Sequence, residues 1–298
     1  MSRRLLTVLL TLACLAAIPA AAEEVKTRHR GITLNGNLEL APDKGLEDGV
    51  MLIAHGLLAH NRMEIIAALQ RGFKARGLST LAINFSLGVD DRHGMFDCGK
   101  LHAHRPADAL DEIDAWIGWL KTQGATEITL LGHSQGGAQV GLYAAERRDA
   151  AVGAIVLLAP ATFDPERVAA AYEQRFGEKL APVLARAEDL LRSGRGETAI
   201  DRIGFLYCEN ATATASSVVG WYAPSPLRNT PTLLPRIRQR TLVVAAGADA
   251  VVPDLTQQLG ALRPQRNLTV DVIDGADHFF LDLYADEAVE TIVGWLER

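Results

Sequence analysis

The sequence predicts an α/β fold in which a mostly parallel sheet of eight strands is covered by helices on both faces. Short, β-rich apolar runs alternate with helical patterns along most of the chain, which is typical of strands joined by crossover helices. One interval, about 162–235, interrupts this alternation and predicts an insertion. A chain of 298 residues is long enough for one large domain with such an insertion.

The strands are of two kinds. Segments 25–30 and 34–40 predict an opening antiparallel pair, with breaks expected near Gly31 and at the Asn35-Gly36-Asn37 run. The other six are short apolar runs of the kind that is buried in a parallel sheet. They are 50–54, 79–84, 127–131, 154–158, 241–245 and 268–273.

Five helical patterns lie between or after these strands, and each is long enough for a crossover. They are 62–76, 107–121, 135–147, 255–262 and 286–297. Within the insertion, segments 165–176 and 180–191 are also helical in pattern, followed by a Ser/Thr/Ala tract at 211–217 and four prolines. We therefore expect a helical cap over the sheet.

The first 22 residues predict a signal peptide. Arg3 and Arg4 give a basic start, 5–18 is an apolar run, and Ala20-Ala21-Ala22 resembles a cleavage site. The mature domain is expected at 23–298, exported to the periplasm or secreted, with no later membrane-spanning segment. An uncleaved anchor and the twin-arginine route are alternatives that these residues leave open.

Charge argues against a nucleic-acid partner. Without the leader, 28 of the 30 basic residues stand against 36 acidic ones, a net charge of −8. The acidic surplus is spread along the chain, so it indicates solubility and says little about partner proteins.

The strongest motif is Gly132-His133-Ser134-Gln135-Gly136, which follows an apolar strand and opens a helix. A tight turn at this point requires small residues on both sides of the serine and exposes its hydroxyl. Ser134 is therefore predicted to be a nucleophile, with the partial positive charge of the helix beneath it.

A serine hydroxyl needs an adjacent base, and the base needs a carboxylate to orient it. His278 follows the last predicted strand and is the predicted base. Asp249 follows the preceding strand and is the predicted acid, because this gives the order Ser, acid, His. The competing carboxylates are Asp164, Asp274 and Asp277.

Acyl transfer also needs donors for the oxyanion. The backbone N–H of Gln135 is one predicted donor. The other is the N–H of Leu57, because His55-Gly56-Leu57 directly follows the strand at 50–54.

In the order of these motifs the chain resembles the α/β-hydrolase family over almost the whole mature sequence. The motifs are His-Gly after the third strand, Gly-x-Ser-x-Gly after the fifth, Gly-x-Asp-x-x-Val-Pro after the seventh and Asp-His after the eighth. The resemblance implies the α/β-hydrolase fold, hydrolysis through an acyl-enzyme and no cofactor. A small-molecule carboxylic ester is the predicted substrate. An amide, peptide or thioester substrate, or a binding protein without activity, is the alternative.

The polar loop at 90–104 has no assigned role in this scheme. Asp91, Arg92 and His93 are predicted substrate contacts, because the loop leaves the carboxyl edge of the sheet. The alternative is that the loop is structural and its polar side chains are hydrogen-bonded within the protein. No metal site is predicted, since the spacing of its histidines and aspartates matches no known motif.

Aromatic residues in the insertion have two readings. Tyr207, Trp221 and Tyr222, with Phe205, could line an acyl pocket or form the core of the cap itself.

Two cysteines remain after removal of the leader. Cys98 lies in the loop at the rim of the site and Cys208 lies in the insertion. Because export permits oxidation, they are predicted to form a disulfide, with two separate thiols as the alternative.

Overall fold

The computed structural model describes residues 22–298, and the predicted leader lies outside them apart from Ala22. The main sheet has eight strands, as predicted. They are β1 (Glu23–His29), β2 (Ile32–Glu39), β3 (Val50–Ala54), β4 (Thr80–Ile83), β5 (Ile128–His133), β6 (Val152–Leu158), β9 (Arg240–Ala246) and β10 (Leu268–Ile273). Their spatial order is β1-β2-β4-β3-β5-β6-β9-β10. All neighbours are parallel except β1 with β2 and β2 with β4.

The predicted break in the second strand is wrong, because β2 runs through Asn35-Gly36-Asn37. A Cβ atom at Gly36 would lie 2.9 Å from Leu81 Cδ1, so glycine serves close packing here rather than a turn. The Asn35 amide donates to the Arg92 carbonyl, and the Asn37 amide donates to Gln70. Distant partners thus satisfy polar residues that would otherwise favour a turn.

Helices cover both faces of the sheet. They are α1 (Glu64–Ala75), α2 (Asp108–Thr122), α3 (Gln135–Glu146), α8 (Leu255–Gly260) and α9 (Leu283–Leu296). Along β3, Val50, Leu52 and Ala54 join the apolar cluster that also contains residues of α2 and α3, while Met51 and Ile53 join the cluster with α1 and α9. This alternation is the period of two expected for a strand covered on both faces.

Between β6 and β9 lies the insertion, residues 162–235, here termed the cap. Its helices are α4 (Pro165–Phe176), α5 (Leu180–Arg192), α6 (Ala215–Tyr222) and the short α7 (Thr230–Leu233). It also contains an antiparallel hairpin, β7 (Ala199–Phe205) with β8 (Cys208–Thr214), which the sequence analysis did not predict. The cap is therefore mixed rather than purely helical.

The loop at 90–104 is bound to this hairpin. The His102 N–H donates to the Thr212 carbonyl, and the Thr214 N–H donates to the His102 carbonyl. A disulfide joins Cys98 to Cys208, whose Cα atoms lie 5.4 Å apart, so the rim of the sheet and the cap are covalently linked. Across residues 22–298 no helix combines the length and apolar character needed to cross a membrane.

Candidate active site

Ser134 lies in the turn between β5 and α3 with φ 56° and ψ −122°. A positive φ is uncommon outside glycine, so the surrounding structure must impose it. A Cβ atom at Gly132 would lie 2.3 Å from the Gly136 carbonyl oxygen, and one at Gly136 would lie 2.4 Å from the His55 carbonyl oxygen. Only glycine fits at either position, and the serine side chain is left at the carboxyl edge of the sheet.

Three predicted residues from three different loops meet in one hydrogen-bonded chain. The Ser134 hydroxyl lies 2.8 Å from His278 Nε2. His278 Nδ1 lies 2.8 Å from Asp249 Oδ2. With Nδ1 protonated, Nε2 is free to accept the serine proton. The His278 and Asp249 side chains are each only 4% exposed, so water does not compete for these bonds.

Asp249 is held ionised by its partners. Burial by itself would raise its pKa, but hydrogen bonds from His278 and from the backbone N–H groups of Val252 and Val251 outweigh burial and lower it. The two backbone bonds to Oδ1 are 2.8 and 2.7 Å long. The other oxygen therefore faces His278 as a fixed negative charge.

None of the three competing carboxylates is hydrogen-bonded to His278 in the described chain. Asp164 accepts from the Arg167 N–H at the start of α4. Asp277 accepts from the Phe279 and Leu281 N–H groups in its own loop. Asp274 makes no hydrogen bond to His278, whose Nδ1 is engaged by Asp249.

His133 is hydrogen-bonded to the loop that carries His278. Its Nε2–H donates to the His278 carbonyl oxygen at 2.8 Å. Burial lowers the pKa of His133 to about 4, so the ring is neutral near neutral pH. The elbow residue before the serine thus fixes the backbone position of His278.

The two backbone amides that are predicted to bind the oxyanion lie beside Ser134. Gln135 begins α3 directly after Ser134. Leu57 follows Gly56, at which a Cβ atom would lie 3.8 Å from Ser134 Oγ. Neither the Leu57 nor the Gln135 N–H has an acceptor among the described residues. Both donors are therefore available to a ligand oxygen.

His55 and Arg92 hold the Leu57 loop in place. His55 Nδ1–H donates to the Gly56 carbonyl at 2.8 Å, and Nε2 accepts from the Phe85 N–H and from Arg92 Nη2, each at 3.1 Å. Burial, then the charge of Arg92, lowers the pKa of His55 to about 3. The neutral ring therefore links the Gly56 carbonyl to Phe85 and Arg92 by donating at Nδ1 and accepting at Nε2.

The expected substrate contacts Asp91, Arg92 and His93 bond to other parts of the protein, and none of them lines the cavities next to Ser134. Arg92 is buried, and its guanidinium group donates hydrogen bonds to His55 and to the Phe85 and Gly94 carbonyls. Asp91 accepts from Lys26 and Asn35. These two side chains bind the loop to the sheet because their partners lie on β1, β2 and the end of β4, which are distant in sequence.

His93 is exposed and bonds to Glu24 on the edge strand β1. Glu24, Asp91 and His93 bring potential metal-ligand atoms within 4.8 Å of one another. Lys26 already pairs with both carboxylates, and exposed groups of this kind are common without a metal.

A cavity of about 250 Å³ opens beside the serine. It is lined by Ser134, His278 and a largely apolar wall. Most of that wall was not predicted from the sequence. It comprises Met63, Ile65 and Ile66 at the start of α1, together with Met95, Val251 and Phe279. Two of these could have been found from the sequence, because Phe279 directly follows the predicted base and Val251 lies two residues after the predicted acid.

The four aromatic residues of the cap were expected either to line an acyl pocket or to form the core of the cap, and the structure contains examples of both. Phe205 is fully buried and belongs to the core shared by the cap and the 90–104 loop. Tyr207 lines the cavity beside Ser134 and also a second cavity. Trp221 and Tyr222 line only the second one. Tyr207, Trp221 and Tyr222 therefore lie at cavities near the site, although Trp221 and Tyr222 also pack in the core of the cap.

Chemically, this arrangement can deprotonate a serine, direct it at an electrophilic carbon and stabilise the negative charge that develops on the attached oxygen. Each part lies at the carboxyl ends of strands, where open α/β sheets bind ligands.

Comparison with known proteins places this geometry in context. The profile of the alpha/beta hydrolase family matches residues 51–291. Est1E from Butyrivibrio proteoclasticus, solved with ferulic acid bound, is similar in structure with a TM-score of 0.68 and 23% sequence identity, over 91% of this chain and 97% of that one. No curated protein matches in sequence.

Two further solved structures are similar. A monoacylglycerol lipase from Paleococcus ferrophilus has a TM-score of 0.60 and 19% identity, over 88% of this chain and 98% of that one. The esterase domain of a Rhodothermus marinus protein has a TM-score of 0.59 and 19% identity, over 93% and 98%. Likeness at these identities establishes the fold and leaves the substrate open.

Proposed function

The chain belongs to the alpha/beta hydrolase family, and from that premise we propose that it is a serine hydrolase that cleaves small carboxylic esters through an acyl-enzyme. The observation that carries the proposal is the hydrogen-bonded chain from Ser134 through His278 to Asp249. The esterase and lipase among the similar structures support the reaction class.

In the proposed reaction, Ser134 Oγ attacks the ester carbonyl carbon while His278 Nε2 takes the serine proton. The Leu57 and Gln135 N–H groups donate to the carbonyl oxygen as it becomes negative. The bond to the leaving alcohol then breaks, and His278 returns the proton to that alcohol. Asp249 stabilises the imidazolium that exists between these two transfers.

The acyl group is then attached to Ser134. Water attacks the acyl carbon and gives its proton to His278. The bond to Ser134 Oγ breaks and His278 protonates the serine again, which releases the carboxylic acid.

Replacement of the nucleophile tests the mechanism. Ser134→Ala should lose labelling by a fluorophosphonate probe and lower kcat by about a million-fold, as expected when a member of such a unit is removed. Ser193→Ala is the matched control, because its hydroxyl bonds only locally, to the Leu190 carbonyl and Arg195 Nε, and lines neither cavity near Ser134. Turnover by Ser134→Ala at the wild-type rate would contradict the serine mechanism.

Substrates that differ only in the atom bonded to the acyl carbon distinguish an esterase from an amidase or a thioesterase. Phenyl acetate, acetanilide and S-phenyl thioacetate share the acyl group and the ring and differ in one atom. The proposal expects the highest kcat/KM for the ester. A higher value for the anilide or the thioester would make the protein an amidase or a thioesterase, and failure to label or turn over any of them would favour a binding protein.

We place the reaction outside the cytoplasm. The predicted signal peptide and the disulfide between Cys98 and Cys208 support this, since disulfides persist in oxidising compartments. Mass spectrometry of protein from the native host should find a terminus near Glu23. A cytosolic product that begins at Met1 would contradict export.

A further inference from the structure

A second cavity, of about 240 Å³, lies on the cap side of the oxyanion donors. Leu57 and Tyr207 line both this cavity and the one beside Ser134, so the two meet at the proposed reaction centre. Gln135 lines the second cavity as well. A substrate whose carbonyl oxygen lies on the two backbone amides would therefore extend one of its ends into this space.

Arg228 faces this cavity without a counter-ion. It ends the short 3-10 turn Pro226–Arg228, and its guanidinium carbon lies 4.0 Å from the Phe163 ring centroid and 5.8 Å from that of Trp221. Among the described residues no carboxylate pairs with it, and its buried Nη1 has no acceptor. Burial lowers the pKa of Arg228 to about 10, which leaves it charged at neutral pH.

A second arginine faces the same cavity. Arg175, on α4, lies with its guanidinium carbon 5.1 Å from the Tyr207 ring centroid and has no ion pair among residues 22–298. Among the other cap arginines, Arg167 pairs with Asp254 and Arg192 pairs with Asp189. The remaining three, which are Arg186, Arg195 and Arg202, also lack an ion pair in the described chain, but they are exposed and do not line this cavity.

The remaining lining suits an anion on a planar, apolar group. Tyr222 accepts from the Leu206 N–H through its hydroxyl oxygen, and the hydroxyl hydrogen has no acceptor in the described chain. Tyr172, Tyr207 and Trp221 supply further aromatic walls, and no Asp or Glu of the described chain lines the cavity. The cavity thus offers cationic and hydroxyl donors among aromatic rings and no competing negative charge.

We propose that this cavity binds a carboxylate of the substrate, with Arg228 as the principal donor and Arg175 and Tyr222 assisting. The ester then carries an ionised carboxyl group on the part of the molecule that extends away from the scissile bond. This inference rests on the proposed function for the identity of the bond that is cleaved. It adds the chemical class of the substrate.

Matched esters test the charge requirement. In one pair, the mono-4-nitrophenyl ester of glutaric acid is compared with its methyl-capped diester, which places the charge on the acyl side. In the other, 4-carboxyphenyl acetate is compared with 4-(methoxycarbonyl)phenyl acetate, which places it on the leaving side. Buffers without carboxylate or phosphate and a fixed ionic strength prevent competition.

The wild-type protein should prefer the charged member of one pair by about 10- to 100-fold in kcat/KM, the range expected for charge-assisted hydrogen bonds. Arg228→Gln should reduce this ratio to near one, and Arg228→Lys should retain part of it. Arg186→Gln is the matched control, because Arg186 is exposed on α5 and does not line the cavity. Equal or lower rates for the charged member of both pairs would overturn the inference.

An equilibrium measurement distinguishes this result from failure of the proposed function. Calorimetry should find that the wild-type protein binds benzoate about ten-fold or more tightly than benzamide, and that Arg228→Gln loses this ratio. If Ser134→Ala retains hydrolysis, the proposed mechanism fails, while the benzoate ratio still decides whether the cavity recognises a carboxylate. Equal affinity for benzoate and benzamide in the wild-type protein would refute it, even if Arg228→Gln does not fold.

Discussion

Buried polar groups are hydrogen-bonded to different degrees in two regions of the molecule. One region is the carboxyl edge of the sheet, and the other is the cap boundary, where the 90–104 loop and Arg228 meet the core of the cap. At the sheet edge, Asp249 accepts from His278 and two backbone amides, and both nitrogens of His55 are bonded. At the boundary, His102 Nε2, His104 Nδ1 and Arg228 Nη1 are buried and have no partner in the described chain. The first region is preorganised by its own bonds, whereas the second retains groups that a ligand or a proton can engage.

The largest expected effect comes from breaking the sheet-edge chain at its centre. His278→Gln should lower kcat by about 10⁴-fold or more, because no other group can accept the Ser134 proton. The melting temperature should change little by comparison. Kinetics with phenyl acetate alongside calorimetric melting would check this, and a kcat within ten-fold of wild type would mean that another base acts.

The disulfide tests whether the cap depends on its link to the sheet edge. Replacing Cys98 and Cys208 by serine opens a loop with a sequence separation of 110 residues. We expect the free energy of unfolding to fall by as much as about 5 kcal/mol from the loop-entropy term. KM should rise as the cap loosens, with kcat less affected.

Denaturant unfolding and steady-state kinetics measure these two effects. Adding reductant to the double variant is the control and should change nothing further. Reduction of the wild-type protein with no loss of stability would show that the bridge does not hold the cap.

Arg92 allows the hydrogen bonds at the sheet edge to be tested separately from substrate binding. Its side chain donates to His55 and lines neither of the two cavities. Arg92→Gln leaves His55 Nε2 with one donor fewer, so the Leu57 amide should be held less firmly. We expect kcat to fall by about 10- to 100-fold with little change in KM, as for partial loss of an oxyanion donor. A direct substrate contact would instead raise KM, so the split between the two constants decides between the roles.

The smallest expected effect concerns protons at the cap boundary. Burial lowers the pKa of His102 to about 4 and, with the neighbouring His102 and Arg92, lowers that of His104 to about 3, both from about 6.5. Each ring binds a proton more readily in the unfolded chain, so stability should fall as the pH drops from about 6.5 towards 4. Glu112 opposes this trend between about pH 7 and 4.5, since burial raises its pKa to about 7.

His104→Phe removes one of these titrating groups within an aromatic environment. The slope of stability against pH between 6.5 and 5 should become smaller by about 1.4 kcal/mol per pH unit, the value for one proton. Urea unfolding at several pH values measures the slope. His93→Phe is the control, because His93 is exposed and does not line the cavity that contains His104. An unchanged slope for His104→Phe would mean that His104 titrates alike in the folded and unfolded chains.

Local patterns predicted the sheet and the elbow well. Apolar runs placed the six parallel strands to within two residues. Five of them are buried along nearly their whole length, as expected for strands covered on both faces. The expectation of a buried strand at 268–273 is wrong, because β10 lies at the edge of the sheet and is mostly exposed. Gly132 and Gly136 were identifiable because the turn around Ser134 has no room for a Cβ atom. The hairpin β7–β8 was missed, since its second strand is rich in Ala and Thr and depends on packing of Phe205 and on the Cys98–Cys208 bridge.

By itself, the sequence determined the order of strands and helices, the turn that exposes Ser134, and where in that order His278 and an acid follow. These depend on sterics and periodicity over a few neighbouring residues. Only the tertiary structure decided that Arg92 donates to His55, and that Arg228 faces a cavity without a counter-ion among the described residues. Such outcomes depend on which distant groups meet and which do not, and residue spacing along the chain does not encode those distances.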